Sequence, residues 1–166
     1  MSSSELAEAV RSKLRLLTVC DAENGVVLWD RVWEWPKGNP AGLGNLVRSF
    51  FQIAKQLDHG MVSRVVFEMS LDDDAPKNVP RMQMLCTKNR EIVVALFYDD
   101  DESFNDDDSA AASVDNAMRQ FIEQARELWR KHSGLAVPQP EVKDDHHHFT
   151  DTIDVLLDRI LDNLAS

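Results

Sequence analysis

Short runs of apolar residues, separated by turn-forming residues, predict five β-strands along the chain. The predicted strands cover residues 14–20, 26–35, 64–70, 81–87 and 91–98. An Asn24-Gly25 pair lies between the first two, and it favours a hairpin because both residue types tolerate positive φ. Only residues 88–90 separate the last two strands, so a second hairpin is expected there. The pattern thus predicts a two-stranded unit and a three-stranded meander.

The same pattern predicts the order of the strands in the sheet. The first and fifth strands are apolar on both faces, as a central strand covered by helices on both sides requires. The third and fourth strands alternate between apolar and polar residues, which indicates more peripheral positions. Joining the two units through their most buried strands gives the order 2-1-5-4-3.

Apolar residues also recur at helical spacing, and this predicts three helices. The predicted helices cover residues 42–58, 113–132 and 150–164. Residues 1–13 precede the first strand as an N-terminal extension, either a short amphipathic helix or a frayed segment. Two prolines in the segment 133–148 predict a loop before the last helix. We expect one α/β domain over residues 14–164, in an α+β arrangement, with one helix on one face of a mainly antiparallel sheet and two on the other.

The composition limits the function classes that the chain can serve. A length of 166 residues is that of one ordinary domain. The net charge of −11 argues against nucleic acid or an anionic membrane as a partner held by bulk attraction, because both are negatively charged. No apolar run approaches the roughly 20 residues that span a bilayer, and the N-terminus does not resemble a signal peptide. We expect a cytoplasmic protein.

The two cysteines do not form a disulfide framework. Cys20 and Cys86 lie on predicted strands that the fifth strand separates, about 10 Å apart at the least. A disulfide needs Cα atoms within about 7 Å of each other. We therefore expect two free thiols with a structural role.

Two polar segments suggest metal binding. The run of three histidines at 146–148 offers His146 and His148 as weak candidate ligands, but consecutive residues cannot all face one ion from a regular element. The acidic segment 99–108 could collect cations, yet it lacks the glycine and glutamate spacing of an EF-hand loop. A surface linker and a solvated loop are the expected structures, and cation binding by the acidic segment stays open.

Motifs of enzymes are absent from the sequence. There is no G-x-S-x-G, no G-x-x-x-x-G-K and no G-x-G-x-x-G. We expect no catalysis and no cofactor. The enzyme alternative is a small metal-dependent hydrolase that uses the histidine run and the acidic segment.

Three tryptophans stand close together in the second predicted strand. Trp29, Trp33 and Trp35 share one parity, so they are expected on one face, either as core residues or as a contact surface. Because this strand lies at a sheet edge, Trp33 and Trp35 are candidate partner-binding residues. A second candidate surface is the polar side of the first predicted helix, with the residues Arg48, Gln52 and Lys55.

The order of elements resembles that of the longin, or SNARE-like, superfamily. The pieces that carry the resemblance are NGVVLW at 24–29, GNLVRSFF at 44–51, EIVVALF at 91–97, VDNAMRQFI at 114–122 and VLLDRIL at 155–161. The superfamily includes the small chains of clathrin adaptor complexes and the N-terminal domain of the signal recognition particle receptor α subunit. The resemblance covers roughly residues 14–164, and it rests more on the order of helices and strands than on identities.

The resemblance implies a non-enzymatic protein-protein interaction module in vesicle trafficking or membrane protein targeting. The implied partner is a small GTPase or a subunit of a coat, adaptor or tether complex. The chain would then reach endomembranes only peripherally, through such partners. The alternative is a roadblock- or profilin-like GTPase regulator, which shares much of the fold, although the strong last helix favours the longin arrangement.

Overall fold

Five antiparallel strands form one sheet, and the described residues place four helices on its two faces. The structure is a computed structural model that describes residues 2–35, 43–57, 61–68, 81–100, 108–135 and 146–164. The strands are β1 Leu14–Asp21, β2 Val27–Val32, β3 Arg64–Glu68, β4 Arg81–Lys88 and β5 Ile92–Asp100. The helices are α1 Ser3–Lys13, α2 Leu43–Lys55, α3 Asp108–Leu135 and α4 His146–Leu164.

The strand order β2-β1-β5-β4-β3 confirms the order predicted from the apolar pattern. β1 pairs with both β2 and β5, and β4 pairs with both β5 and β3, all antiparallel. The expectation that β4 is peripheral was wrong, because its residues from Met82 to Thr87 are all buried. β3 shields the outer edge of β4, while helices cover both of its faces, so its polar side chains are enclosed as well.

The sheet separates two hydrophobic cores. The larger core lies between the sheet and the helices α1, α3 and α4, and the smaller one lies under α2. The predicted three helices are therefore four, arranged three on one face and one on the other. The additional helix is α1.

Helix α1 contributes to the larger core, because Val10 is only 3% exposed there. Its first turn is closed by a capping box in which the Glu5 amide donates to Ser2 Oγ and the Ser2 amide donates to the Glu5 carboxylate. An ion pair of 2.7 Å joins Arg11 to Asp158 of α4. The structure thus selects the helical alternative for the N-terminal extension.

Helices α3 and α4 are both longer than the sequence pattern predicted. α3 begins at Asp108 and ends at Leu135, and three alanines at 110–112 extend its first turns because alanine has the highest helix propensity. α4 begins at His146, and its first turn carries Phe149, which is 2% exposed in the core. The predicted loop 133–148 is therefore helical at both ends, and residues 136–145 lie outside the described part.

Strand β2 ends at Val32 and not at Trp35 as expected. The amides of Trp33 and Glu34 both donate to the Arg15 carbonyl, at 3.0 and 3.2 Å, and two successive donors to one carbonyl end the regular ladder. Alternation therefore does not continue to Trp35. Trp29 and Trp33 both lie on the side of the larger core, as their shared parity predicted, whereas Trp35 packs against the smaller core.

Both cysteines are free and buried, as predicted. Burial raises the pKa of each thiol, that of Cys86 to about 12. None of the described helices is long and apolar enough to cross a membrane.

Candidate protein-binding surface

Trp33 and Trp35, the first candidates for partner binding, pack against phenylalanines of the two cores. The ring of Trp33 lies 6.5 Å from that of Phe121 in the larger core, and the Arg31 guanidinium lies 5.6 Å from the Trp33 ring centroid. Trp35 makes an edge-to-face contact of 5.6 Å with Phe97 in the smaller core. Both tryptophans are half-buried and point to opposite faces of the sheet, so they do not form a single exposed aromatic anchor.

Trp29 is a core residue that ties the hairpin to α4. It is 6% exposed, and its indole N–H donates to the Thr150 hydroxyl at 3.0 Å. Its ring meets Phe149 edge-to-face at 4.7 Å, and Phe149 meets Trp129 in the same way at 5.0 Å. This contact explains why α4 has to begin before the predicted residue 150.

Two glycines set the position of α2 on the sheet. A Cβ atom added to Gly44 would lie 2.0 Å from the carbonyl oxygen of Gly25, and one added to Gly25 would lie 2.8 Å from the carbonyl oxygen of Gly44. Gly25 also has a φ of +73°, which side chains disfavour. The segments 24–29 and 44–51, which carry the longin resemblance, therefore meet backbone to backbone at these glycines.

The apolar residues of α2 cover a wider part of the helix circumference than the sheet can bury. Its buried positions are Gly44, Val47, Phe51 and Ala54. Next to them runs a row of exposed apolar side chains: Leu46 at 38%, Ile53 at 60% and Leu57 at 67% exposure. We call these three residues the apolar row; Leu46 and Ile53 lie two turns apart on one side of the helix, and Leu57 follows two residues after its end at Lys55.

The opposite edge of the exposed side of α2 is basic. Arg48, Gln52 and Lys55 are all exposed and lie three or four residues apart, so the structure brings these predicted residues together on one side of the helix. Lys88, from the end of β4, adds a third cation, and its Nζ lies 5.3 Å from the centroid of the Phe51 ring. We call Arg48, Lys55 and Lys88 the basic flank.

The basic flank is one of several groups of cations that lack a carboxylate partner among the described residues, and the others are Arg90, Arg119, Arg126, Lys131 and Arg159. No carboxylate of the described residues lies within 4.0 Å of these three cations. Six other arginines each pair with a carboxylate: Arg11, Arg15, Arg31, Arg64, Arg81 and Arg130. α2 also contains no acidic residue, although the chain has a net charge of −11. The apolar row and the basic flank, with Gln52, together form what we call the α2 face.

An open cavity of about 440 Å³ lies between the two hairpin turns and the end of α3. Its lining residues include Asp21, Glu91 and Trp129. The Asp21 carboxylate accepts the amides of Glu23 and Asn24 at 2.8 and 3.0 Å, so it holds the turn together. This cavity has no arrangement of nucleophile and base among its lining residues.

The candidate metal ligands are not gathered into a site in the described part of the chain. His148 is exposed in the first turn of α4, and the side chain of His146 lies outside the described side chains. Among the described residues, no group of three or more His, Cys, Asp or Glu could hold a metal ion.

The acidic segment 99–108 was predicted to be a loop, but both of its ends belong to regular elements. Asp99 lies in β5 and receives a bidentate ion pair from Arg15, which also pairs with Glu34. The hydrogen bond with Asp99 and then the charges of both carboxylates raise the pKa of Arg15. Asp108 begins α3. Residues 101–107 lie outside the described part.

The α2 face stands out from the remaining described surface. Among the described residues, nine large apolar side chains are exposed, and four of them belong to α2 or follow it within six residues: Leu46, Ile53, Leu57 and Met61. No family model, no curated protein and no solved structure matches the chain.

By helical spacing, the apolar row belongs to the same apolar stripe as the buried residues of α2, and such a stripe is ordinarily core. One feature of the sequence indicates that part of this stripe is exposed. The apolar residues of α2 span about 180° of the helix circumference, whereas a helix that packs on one sheet needs an apolar stripe of only about 100°. Width alone does not show which edge is exposed, because that depends on where the Gly25–Gly44 contact places the helix.

Proposed function

We propose that this chain is a non-enzymatic protein-protein interaction module of the longin or SNARE-like kind, and that it binds its partner through the α2 face. The observation that carries the proposal is the apolar row, whose Ile53 and Leu57 are 60% and 67% exposed. Burying such a side chain is worth about 1.5–3 kcal/mol, so two of them supply the kind of central apolar contact that protein interfaces use.

The polar residues of α2 support the same reading. Arg48, Gln52 and Lys55 are exposed at the opposite edge of the same helix, and arginine is enriched at interfaces. The resemblance supplies the setting: vesicle trafficking or membrane protein targeting, with a small GTPase or a subunit of an adaptor or tether complex as the partner.

Site-specific photo-cross-linking tests this proposal. A photoreactive residue at Ile53 is compared with one at Val155, which is equally exposed at 66% but lies on α4 at the other face of the sheet. In extract from the cells that make the protein, we expect a discrete cross-linked partner from position 53 and none from position 155. Equal labelling from both positions, or none from position 53, would overturn the proposal.

A further inference from the structure

The outer edge of strand β3, at one end of the sheet, fits a second copy of the same chain. We propose that two copies pair antiparallel along β3, with Val66 of each copy at the two-fold axis, so that their two sheets join into one. This inference goes beyond the proposed function and does not depend on it, because it concerns a strand edge and not the α2 face.

The first support is the free backbone of β3. Within the described part of the chain, β3 pairs only with β4. The Cys86 amide donates to the Ser63 carbonyl at 3.0 Å, so the backbone groups of Ser63 and of every second residue after it point toward β4. The backbone groups of Arg64, Val66 and Glu68 therefore point outward, where a further strand can bond to them.

The part of β4 that extends beyond β3 is closed by side chains of α3. Arg119 Nη1 donates to the outward-pointing carbonyl of Cys86 at 3.4 Å, and Arg126 Nη1 donates to that of Lys88 at 3.3 Å. A strand edge covered in this way does not accept another strand. The region of this edge that is open to a second chain is therefore β3 itself.

The second support is that the side chains of β3 complement each other in the antiparallel direction. The strand reads RVVFE over residues 64–68. With Val66 opposite Val66 of the second copy, Arg64 lies opposite Glu68 at both ends of the pair. Opposite charges at directly facing positions stabilise a strand pair, and like charges destabilise it. A parallel pair in register would set Arg64 beside Arg64, and a shift of two residues would remove both charge pairs, so the charges select one register.

The side chains of β3 are also accessible for this pairing. Arg64 forms an ion pair with Asp115 of α3, but it is partly exposed, and a guanidinium has further N–H donors. Glu68 is 65% exposed and reaches only Arg81, at 3.6 Å. Val66, at the proposed axis, is 48% exposed. Pairing therefore buries an apolar side chain and adds charge pairs without breaking an existing one.

The other end of the sheet, at β2, lacks this complementarity. An antiparallel pair of two β2 strands centred on Asp30 would set two carboxylates opposite each other. The Arg31 guanidinium also donates to the Val32 carbonyl at 3.2 Å, so it occupies an acceptor of this strand. We therefore assign the second copy to β3.

The proposed dimer places both α2 helices on one side of the joined sheet. A two-fold axis perpendicular to the sheet keeps each face continuous, so α2 of both copies covers one face and α3 and α4 of both copies cover the other. The dimer thus presents two α2 faces to the same side, an arrangement that increases the avidity for a partner with two binding sites.

Sedimentation of the purified full chain tests the inference. At about 150 mM salt, which screens much of the repulsion between two chains of charge −11, we expect a reversible monomer–dimer equilibrium between about 1 and about 200 µM. Arg64→Glu or Glu68→Arg alone sets like charges opposite each other at both ends of the strand pair, and each should weaken dimerisation by about tenfold or more. A mixture of the two variants has both attractive pairs again, so a mixed dimer should form about as well as the unmodified one.

The matched control reverses a paired cation elsewhere. Arg130 forms an ion pair of 3.1 Å with Glu127 on α3, and Arg130→Glu should change the dimerisation Kd by less than about twofold. Val66→Pro is a second test, because it removes the central N–H donor of the proposed pair, and proline is tolerated on an edge strand where that N–H points outward. We expect this variant to be folded and monomeric. Far-UV circular dichroism of all variants verifies that they are folded.

Three results would overturn the inference. A chain that stays monomeric up to about 200 µM does not accept a second copy at β3, which leaves a strand of another protein as the occupant of that edge. A dimer with the same Kd in the single charge variants and in Val66→Pro uses another surface. Two monomeric charge variants that form no mixed dimer contradict the antiparallel register. Each experiment uses the purified chain alone, so these results leave the proposed function, which cross-linking from position 53 tests, unaffected.

Discussion

At the scale of single residues, Gly44 controls how closely α2 approaches the hairpin. Alanine is favoured over glycine within helices by about 1 kcal/mol, so propensity alone predicts that Gly44→Ala stabilises the protein. The new Cβ would lie 2.0 Å from the Gly25 carbonyl oxygen, and backbone on both sides has little room to move. We expect the steric cost to exceed the gain in helix propensity, with a net loss of about 1–3 kcal/mol in the free energy of unfolding.

Denaturant unfolding measures this loss. Asn45→Ala is the control, because Asn45 is the exposed neighbour of Gly44 and should change stability by less than about 0.5 kcal/mol. A Gly44→Ala variant as stable as the unmodified protein would show that the two backbones do not approach each other as closely as described.

The buried thiol of Cys86 makes stability depend on alkaline pH. Burial, opposed in part by the charge of Arg119, raises its pKa from about 9 to about 12 in the folded state. The unfolded thiol ionises near its ordinary value, so the unfolded state loses its proton first as the pH rises. The stabilisation is complete below pH 9 and is lost between about pH 9 and 12.

Comparison with Cys86→Ala isolates this effect. Between pH 8 and 11, the free energy of unfolding should fall more steeply in the protein with Cys86, by up to about 1.4 kcal/mol per pH unit. Parallel curves for the two proteins would mean that the thiol is accessible to water.

At the scale of elements, α4 is a structural part of the larger core. Leu157 is 1% exposed, whereas Val155 on the same helix is 66% exposed. Leu157→Ala should lower the free energy of unfolding by about 2–5 kcal/mol, because it leaves a cavity between α4 and the sheet. Val155→Ala, the control, removes atoms that are already largely in water and should have little effect. Similar melting temperatures for both variants would contradict the placement of α4.

The strand order was predictable because it depends on patterns that are local to each strand. Apolar residues on both faces identify β1 and β5 as central, and the Asn24-Gly25 turn fixes the pairing of β1 with β2. The ends of the elements were less predictable, because long-range contacts set them. The Arg15 carbonyl ends β2, and packing of Phe149 against Trp29 brings the start of α4 forward.

The candidate surface was also predictable only in part, because a long-range contact determines which of its residues are exposed. Arg48, Gln52 and Lys55 follow from helical spacing alone, and they do lie together on an exposed side of α2. Which apolar residues of α2 remain exposed depends on the contact between Gly25 and Gly44, two residues that are far apart in sequence. Sequence periodicity contains no information about that contact.

At the scale of the whole molecule, the helices on the two faces of the sheet carry opposite charge. α2 contains two cations and no carboxylate. On the other face, α4 presents four carboxylates, of which Asp154 pairs with Arg31 and Asp158 pairs with Arg11. In the part of the chain that the structure describes, the two faces of the sheet therefore differ in the charge of the helices that cover them.

The central claim is that the apolar row contacts the partner. The most direct test uses the partner that is recovered by cross-linking at position 53. The measurement is the Kd of that partner for the variant Ile53→Asp/Leu57→Asp, compared with its Kd for the unmodified protein. Both side chains are largely exposed, so this variant should stay folded; Val155→Asp is the control at equal exposure. We predict a loss of more than about 2 kcal/mol in binding free energy, roughly thirtyfold in Kd, for the double variant and almost none for the control. An unchanged Kd in a folded Ile53→Asp/Leu57→Asp variant, or an equal loss in Val155→Asp, would contradict the account.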